Sequence, residues 1–138
     1  MKKIIKIDTP AWSFIKYNDD GSVDYKSPIP CPFNYGSVLG TKGEDGDRED
    51  AILLGKKQEK GTELESNCVG VVRFIDAGEN DDKYIFSDSK VTLLQKTSLY
   101  LFFRLFSLLK SLKNKLKKKN GVTGLVKIEF FNPLTYQV

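Results

Sequence analysis

The run CVGVVRFID, Cys68 to Asp76, constrains the fold most. β-Branched and aromatic residues fill it and an aspartate closes it, which makes it the strongest strand signal in the chain. Shorter runs of the same kind surround it. IIKI leads into a first strand ending near Asp8, and SFIKY, Ser13 to Tyr17, is a second. The turn residues Asn18 to Ser22 make SVDYK the return strand of a hairpin. AILLG (Ala51 to Gly55), KYIFS (Lys83 to Ser87) and LVKIEFF (Leu125 to Phe131) complete the set. Ser27 to Thr41 holds three prolines and two glycines and is expected to contain no regular element. One long helix is predicted from about Ser98 to Lys119. Its apolar positions Phe102, Leu105, Phe106, Leu109, Leu112 and Leu116 keep three-four spacing, and Asn120-Gly121 ends it. Many short strands and one late helix predict a mostly β, α+β fold, a small barrel with helical cover.

A chain of 138 residues suits one domain, residues 1–138, with one core. No apolar run approaches the roughly 18 residues of a membrane span, and the apolar part of MKKIIKI is too short for a secretion signal. The expected compartment is therefore the reducing cytoplasm, with Cys31 and Cys68 as free thiols. The absence of histidine removes His-based triads and His-based zinc sites. The net charge of +4 is local in origin. Six lysines and no acid lie between Lys110 and Lys119, and the remainder holds 16 basic and 18 acidic residues, a net of −2.

Nine of the 18 acids fall in two runs: Glu44, Asp45, Asp47, Glu49 and Asp50, then Asp76, Glu79, Asp81 and Asp82. A solvated loop is the plainest reading of either run alone. An EF-hand loop counted from Asp45 fails, because its sixth position is Asp50 and its twelfth Lys56, where glycine and glutamate are needed. A magnesium site, which takes oxygen ligands, is the third reading. If the strands carrying Asp50 and Asp76 are neighbours, both acid sets meet at one barrel end, where their mutual repulsion calls for cations. Such a site activates water and shields phosphate oxygens. Lys16, Lys26, Lys83 and Arg73 are candidate cations for phosphate, and Tyr35 a candidate hydroxyl.

The segments IDTP, IKY, FNYG, EDGDRED, VGVVRFIDAGENDDK and LFFRLF, in that order, resemble the family I (soluble) inorganic pyrophosphatases, over about Lys6 to Asn132. The resemblance implies a five-stranded OB-like barrel with a long C-terminal covering helix. It implies Mg²⁺-dependent hydrolysis of pyrophosphate to two orthophosphates, with Mn²⁺ as a substitute metal. Carried over by position, Asp45, Asp50 and Asp81 resemble ligands of the tightest metal, and Asp76 with Asp81 those of a metal arriving with substrate. Asp47 resembles the residue that takes the proton from water. Lys16, Tyr35 and Lys83 match conserved site positions.

Departures thin the phosphate side. Asp8 stands for the glutamate of the family's EIP motif and is carried as a shorter metal-side carboxylate; Asn18 replaces another glutamate. The family's arginine has no clear match, and Lys26 is the nearest substitute. Phe106 and Ser107 stand where Tyr-Lys is frequent, Arg48 replaces the DGDP proline, and Lys110 one turn on is a replacement for the lost charge. The leading expectation is a pyrophosphatase; the alternative is a degenerate relative that binds metal and phosphate without turnover. An OB-type nucleic-acid binder fits less well, because the basic residues cluster at one helix end. The expected partners are pyrophosphate and phosphate, with no nucleic acid and no membrane; a homo-oligomer is compatible with the sequence.

Overall fold

A computed structural model describes residues 2–43 and 46–131. In chain order the elements are β1 (Lys2–Thr9), β2 (Ser13–Tyr17), β3 (Val23–Cys31), β4 (Asn34–Val38), β5 (Asp50–Leu53), β6 (Glu63–Asp76), β7 (Glu79–Asn80), β8 (Lys83–Phe86), α1 (Leu93–Leu116) and β9 (Gly124–Phe130). Strands β1, β4, β5, β8 and β6 are hydrogen-bonded in that order, and β6 pairs back to β1, so five strands close into a ring. Only β5 and β8 run parallel. Closure depends on the 14-residue β6. Its first part, Glu63 to Asn67, pairs with β1, and beyond Cys68 it takes β8 on one side and β9 on the other. The five-stranded barrel with one covering helix is as expected. Among the described residues no helix is long and apolar enough to cross a membrane.

Two apolar clusters organise the interior. One draws on all five ring strands and on no helix residue: Ile5, Ile7, Val38, Leu53, Cys68 and Phe86 are among its members. The other joins the opposite face of β5, β6 and β8 (Ile52, Val72, Phe74, Ile85) to Leu99 and Phe103 of α1. Ile52 and Leu53 thus serve different clusters, as alternation along a strand requires. Gly36 admits β4 close to β1: a Cβ there would overlap the Lys6 carbonyl.

Three expectations need correction. Ser27 to Thr41 is not irregular: β3 continues to Cys31 and β4 follows. The prolines are tolerated because β3 has one neighbour, β2, and the ladder between them is interrupted from Ser27 to Pro30, so Pro28 and Pro30 forfeit no ladder bond. The helix begins at Leu93, not near Ser98, because Thr92 and Gln95 form a reciprocal capping box, and it ends at Leu116. The expected core stripe of the helix is also displaced. Leu105, Leu112 and Leu116 are exposed, while Leu99, Phe103 and the polar Asn114 are buried.

Candidate active site

The acids gather where β5 starts and β6 ends, at one end of the ring. The parallel register sets Asp50 beside Lys83. Lys83 is 2% exposed, and its ammonium donates to Asp50 Oδ2 (3.1 Å) and to the Asp81 carbonyl (3.1 Å), with Asp81 Oδ2 at 3.0 Å. Burial opposes the charge on Lys83, but Asp50 and Asp81 outweigh it and hold the group protonated above the ordinary lysine range. Tyr35, cross-strand from Ile52, donates its hydroxyl to the same Asp50 Oδ2 at 2.8 Å. Burial, and then the Asp50 charge, push the Tyr35 phenol well up, so it remains a donor.

The two protein donors on Asp50 thus share one oxygen, and Oδ1 has no donor among the described residues. Asp81 likewise meets Lys83 through one carboxylate oxygen. On one side of Asp50 a cleft runs past Asp8, Lys16, Tyr35 and Asp47. On the other side a second cleft runs past Asp76, Asp81, Lys16 and Lys110. Asp50 and Lys16 line both.

Asp47 is exposed on the rim of the first cleft. Asp8 is 7% exposed, and its carboxyl is pushed up by burial although Lys6 lies 3.6 Å away. Asp76 is turned toward the helix: Asn114 donates to its Oδ1 at 2.7 Å and Lys110 stands 3.6 Å from Oδ2. Burial works against the Asp76 charge, yet the Asn114 bond and Lys110 hold its pKa below the usual carboxylate range. Asp45 lies outside the described residues.

Asp50, Asp76 and Asp81 share a cleft, but no three acidic or thiol side chains among the described residues form a closed metal cage. The carboxylates are engaged by protein groups instead: Asp50 and Asp81 share Lys83, and Asp76 meets Asn114 and Lys110. The donors nevertheless fit a hard divalent cation. They are carboxylate oxygens, Asp50 presents an oxygen with no donor among the described residues, and Cys68 is buried in the barrel. Burial raises the Cys31 thiol to about 11, so neither sulfur competes as a soft ligand at neutral pH.

The expected cations divide. Lys16 faces the site, with its ammonium 4.8 Å from the Tyr35 ring centre. Lys83 lies beneath the carboxylates, 3% exposed in its side chain, and acts on them instead of facing the cleft. Arg73 is taken by Asp82 and Glu129. Lys26 is exposed and pairs with Ile15, whereas Lys16 pairs with Tyr25. Cross-strand partners share a face, so Lys26 points away from the Lys16 side and lines none of these clefts. Sequence reasoning missed Lys113, whose ammonium stands 4.7 Å from the Tyr25 ring centre, and Asn114. The signal for both was their three-four spacing from Phe103 and Phe106, the wrong face of a helix for solvated side chains.

The family profile described as inorganic pyrophosphatase matches residues 5–121. The chain belongs to the inorganic pyrophosphatase family. The Haemophilus influenzae inorganic pyrophosphatase is 42% identical over 55 residues, 39% of this chain and 31% of that protein. A soluble inorganic pyrophosphatase of Oryza sativa is 33% identical over 87 residues, 57% of this chain and 41% of that one. The matches therefore span less than half the length of these relatives. The crystal structure of an inorganic pyrophosphatase from Neisseria gonorrhoeae superposes with a TM-score of 0.72 at 27% identity, over 92% of this chain and 81% of that one. Within the family's frame, the acids described above sit on the matched segment, and β9 lies beyond it.

Proposed function

We propose that this chain hydrolyses inorganic pyrophosphate to two orthophosphates with a divalent cation, Mg²⁺ or Mn²⁺. The observation that carries the reading is the Asp50–Lys83–Asp81 clamp, two carboxylates fixed by one buried lysine, opening on clefts that also hold Asp47 and Lys16. Family membership supplies the substrate class. Asp50, Asp81 and Asp76, with Asp45, are the residues that would hold the metal, and Asp8 is a further carboxylate beside Asp50 in the first cleft. When bound, a divalent cation supplies Lewis-acid activation of water and shields phosphate oxygens.

The chain's own groups carry the rest. Asp47 accepts a proton from the water as its oxygen bonds to one phosphorus; the bridging P–O bond breaks, and the second phosphate leaves with the bridging oxygen. Lys16 meets the charge that develops on the leaving phosphate. Tyr35 and Lys83 keep Asp50 and Asp81 in place, so no reorganisation is needed during the reaction.

The test is phosphate release from pyrophosphate, with and without Mg²⁺ or Mn²⁺, against a panel of nucleotides. Metal-dependent release from pyrophosphate in preference to nucleotides is expected. No release at any metal concentration overturns the enzyme reading and leaves a protein that binds metal and phosphate without turnover.

A further inference from the structure

We infer that Lys110 and Lys113 of α1 join Lys16 to form the cationic wall that holds the phosphate groups of the substrate. The inference rests on a phosphate-containing ligand occupying the cleft described above.

Lysines on a helix ordinarily face water. Here Lys110 and Lys113 fall on the same side as Phe103, Phe106 and Asn114, and both are half-buried against the barrel end. Lys115, Lys117, Lys118 and Lys119 are exposed, so the lysine-rich end of the helix divides into two populations. Lys110 lines the cleft with Asp50, Asp76, Asp81 and Lys16. Lys113 reaches over Tyr25, and the ammonium of Lys16 stands 5.7 Å from the centre of that same ring. Lys16 of the hairpin thus shares a cleft with Lys110 and an aromatic ring with Lys113.

Asp50, Asp76, Glu79 and Asp81 line the cleft beside Lys16 and Lys110, but the ion pairs these lysines make are few and long. Lys16 is 3.6 Å from Asp24, and Lys110 is 3.6 Å from Asp76; both contacts are longer than a good hydrogen bond. Lys113 makes no ion pair with a described residue. Asp50 and Asp81 are engaged by Lys83 and Asp76 by Asn114, so the three ammonium groups keep donors to offer a phosphate anion. The positions typical of the family are committed elsewhere. Ser107 donates to the Phe103 carbonyl and accepts from the Leu125 backbone, which fastens α1 to β9, and Phe106 stacks in a ring cluster with Phe74, Phe102 and Phe103. The cationic role has moved one to two turns along the helix.

The experiment uses the full chain and the variants Lys110→Gln, Lys113→Gln and Lys115→Gln, the last a solvent-facing control. The binding probe is inorganic phosphate in the presence of Mg²⁺, followed by calorimetry, alongside KM for pyrophosphate. Lys110→Gln and Lys113→Gln are each expected to weaken phosphate about 10- to 100-fold, the size of a hydrogen bond to a charged group, and to raise KM in parallel. Arginine at either position should restore part of the loss, and Lys115→Gln should change neither quantity. If both glutamine variants bind phosphate like the parent, the inference is overturned while the hydrolase reading stands. If Lys110→Gln weakens Mg²⁺ binding without phosphate but not phosphate affinity, Lys110 only orients Asp76 and its assignment is overturned. If the parent releases no phosphate from pyrophosphate yet binds phosphate through both lysines, the hydrolase reading fails and this one holds.

Discussion

Asp50 keeps its two oxygens in different company. Oδ2 takes both Tyr35 and Lys83, and Oδ1 takes no donor among the described residues. That asymmetry is what a carboxylate needs to be rigid and still bind a cation. Lys83 is the group that makes the arrangement stable without one. Lys83→Met should therefore destabilise the metal-free protein by about 3 kcal/mol, the low end for a broken buried pair because Asp50 and Asp81 remain partly exposed. Mg²⁺ should shrink the loss, since a cation at the two carboxylates neutralises them in place of Lys83. Urea unfolding with a chelator and with Mg²⁺ measures both terms, and an equal loss in the two conditions contradicts a metal at this pair. Asp47 has the complementary role. Asp47→Asn keeps shape and hydrogen bonding but cannot take a proton, so turnover should fall about 10²–10⁴-fold with metal affinity retained. Pyrophosphate hydrolysis and Mg²⁺ binding on the same samples decide it; turnover equal to the parent's removes the base assignment.

At the scale of elements, α1 does two separable jobs. Its start is set locally: Thr92 accepts from the Gln95 backbone at 3.1 Å, and the Gln95 side chain accepts from the Thr92 backbone at 3.0 Å. Its far end is set by tertiary contact, because Asn114 donates both to Asp76 and to Thr123 at 2.8 Å, tying the helix to the end of β6 and to the segment before β9. Thr92→Ala should cost about 0.5–2 kcal/mol and leave metal affinity unchanged. Asn114→Ala should cost about 1–3 kcal/mol, since it strips a buried donor from Asp76, and should also weaken Mg²⁺ binding. Chemical denaturation with a parallel metal titration separates the two; equal metal affinity in both variants means that Asn114 holds the helix only. The helix also shows why periodicity misled. Leucines and phenylalanines occupy most of its circumference, so the three-four rule admits more than one buried face. The face with Leu99 and Phe103 prevails because Phe33, Phe74 and Ile85 wait beneath it, and Leu101, Leu105, Leu108, Leu112 and Leu116 are left outside.

Across the whole molecule, closing the ring is what brings distant acids together. Asp50 and Asp81 are 31 positions apart, and the β5–β8 register with the turn after β6 makes them neighbours across one lysine. A ligand that binds only the folded form stabilises it by about 2.7 kcal/mol at a hundredfold excess over its dissociation constant. Millimolar Mg²⁺ should therefore raise the melting temperature, and the rise should vanish in Asp50→Asn. A melting temperature unmoved by Mg²⁺, together with no heat of binding, rules out the site.

Most strand positions, the barrel with its covering helix and the acidic clusters were legible in the sequence, because β-branched runs, turn residues and charge density are local properties; β4, hidden in the proline- and glycine-rich stretch, was not. Asp47, Asp50, Asp76, Asp81 and Lys16 were candidates on sequence grounds, and all line the clefts at the end of the ring. The direction in which each cation points was not legible. Lys26 and Lys16 sit on adjacent strands, and the register of one hairpin, where a slip of one residue reverses the face, decides which of them meets the acids. Lys113 and Asn114 keep three-four spacing from Phe103 and Phe106, but the leucines offer rival faces, and packing against Phe33, Phe74 and Ile85 sets which face of α1 turns inward. Composition and periodicity determine what kinds of groups the chain carries and along which elements. The closing of the ring and the seating of the helix determine which of those groups face one another, because facing is a long-range contact that no short window of residues contains.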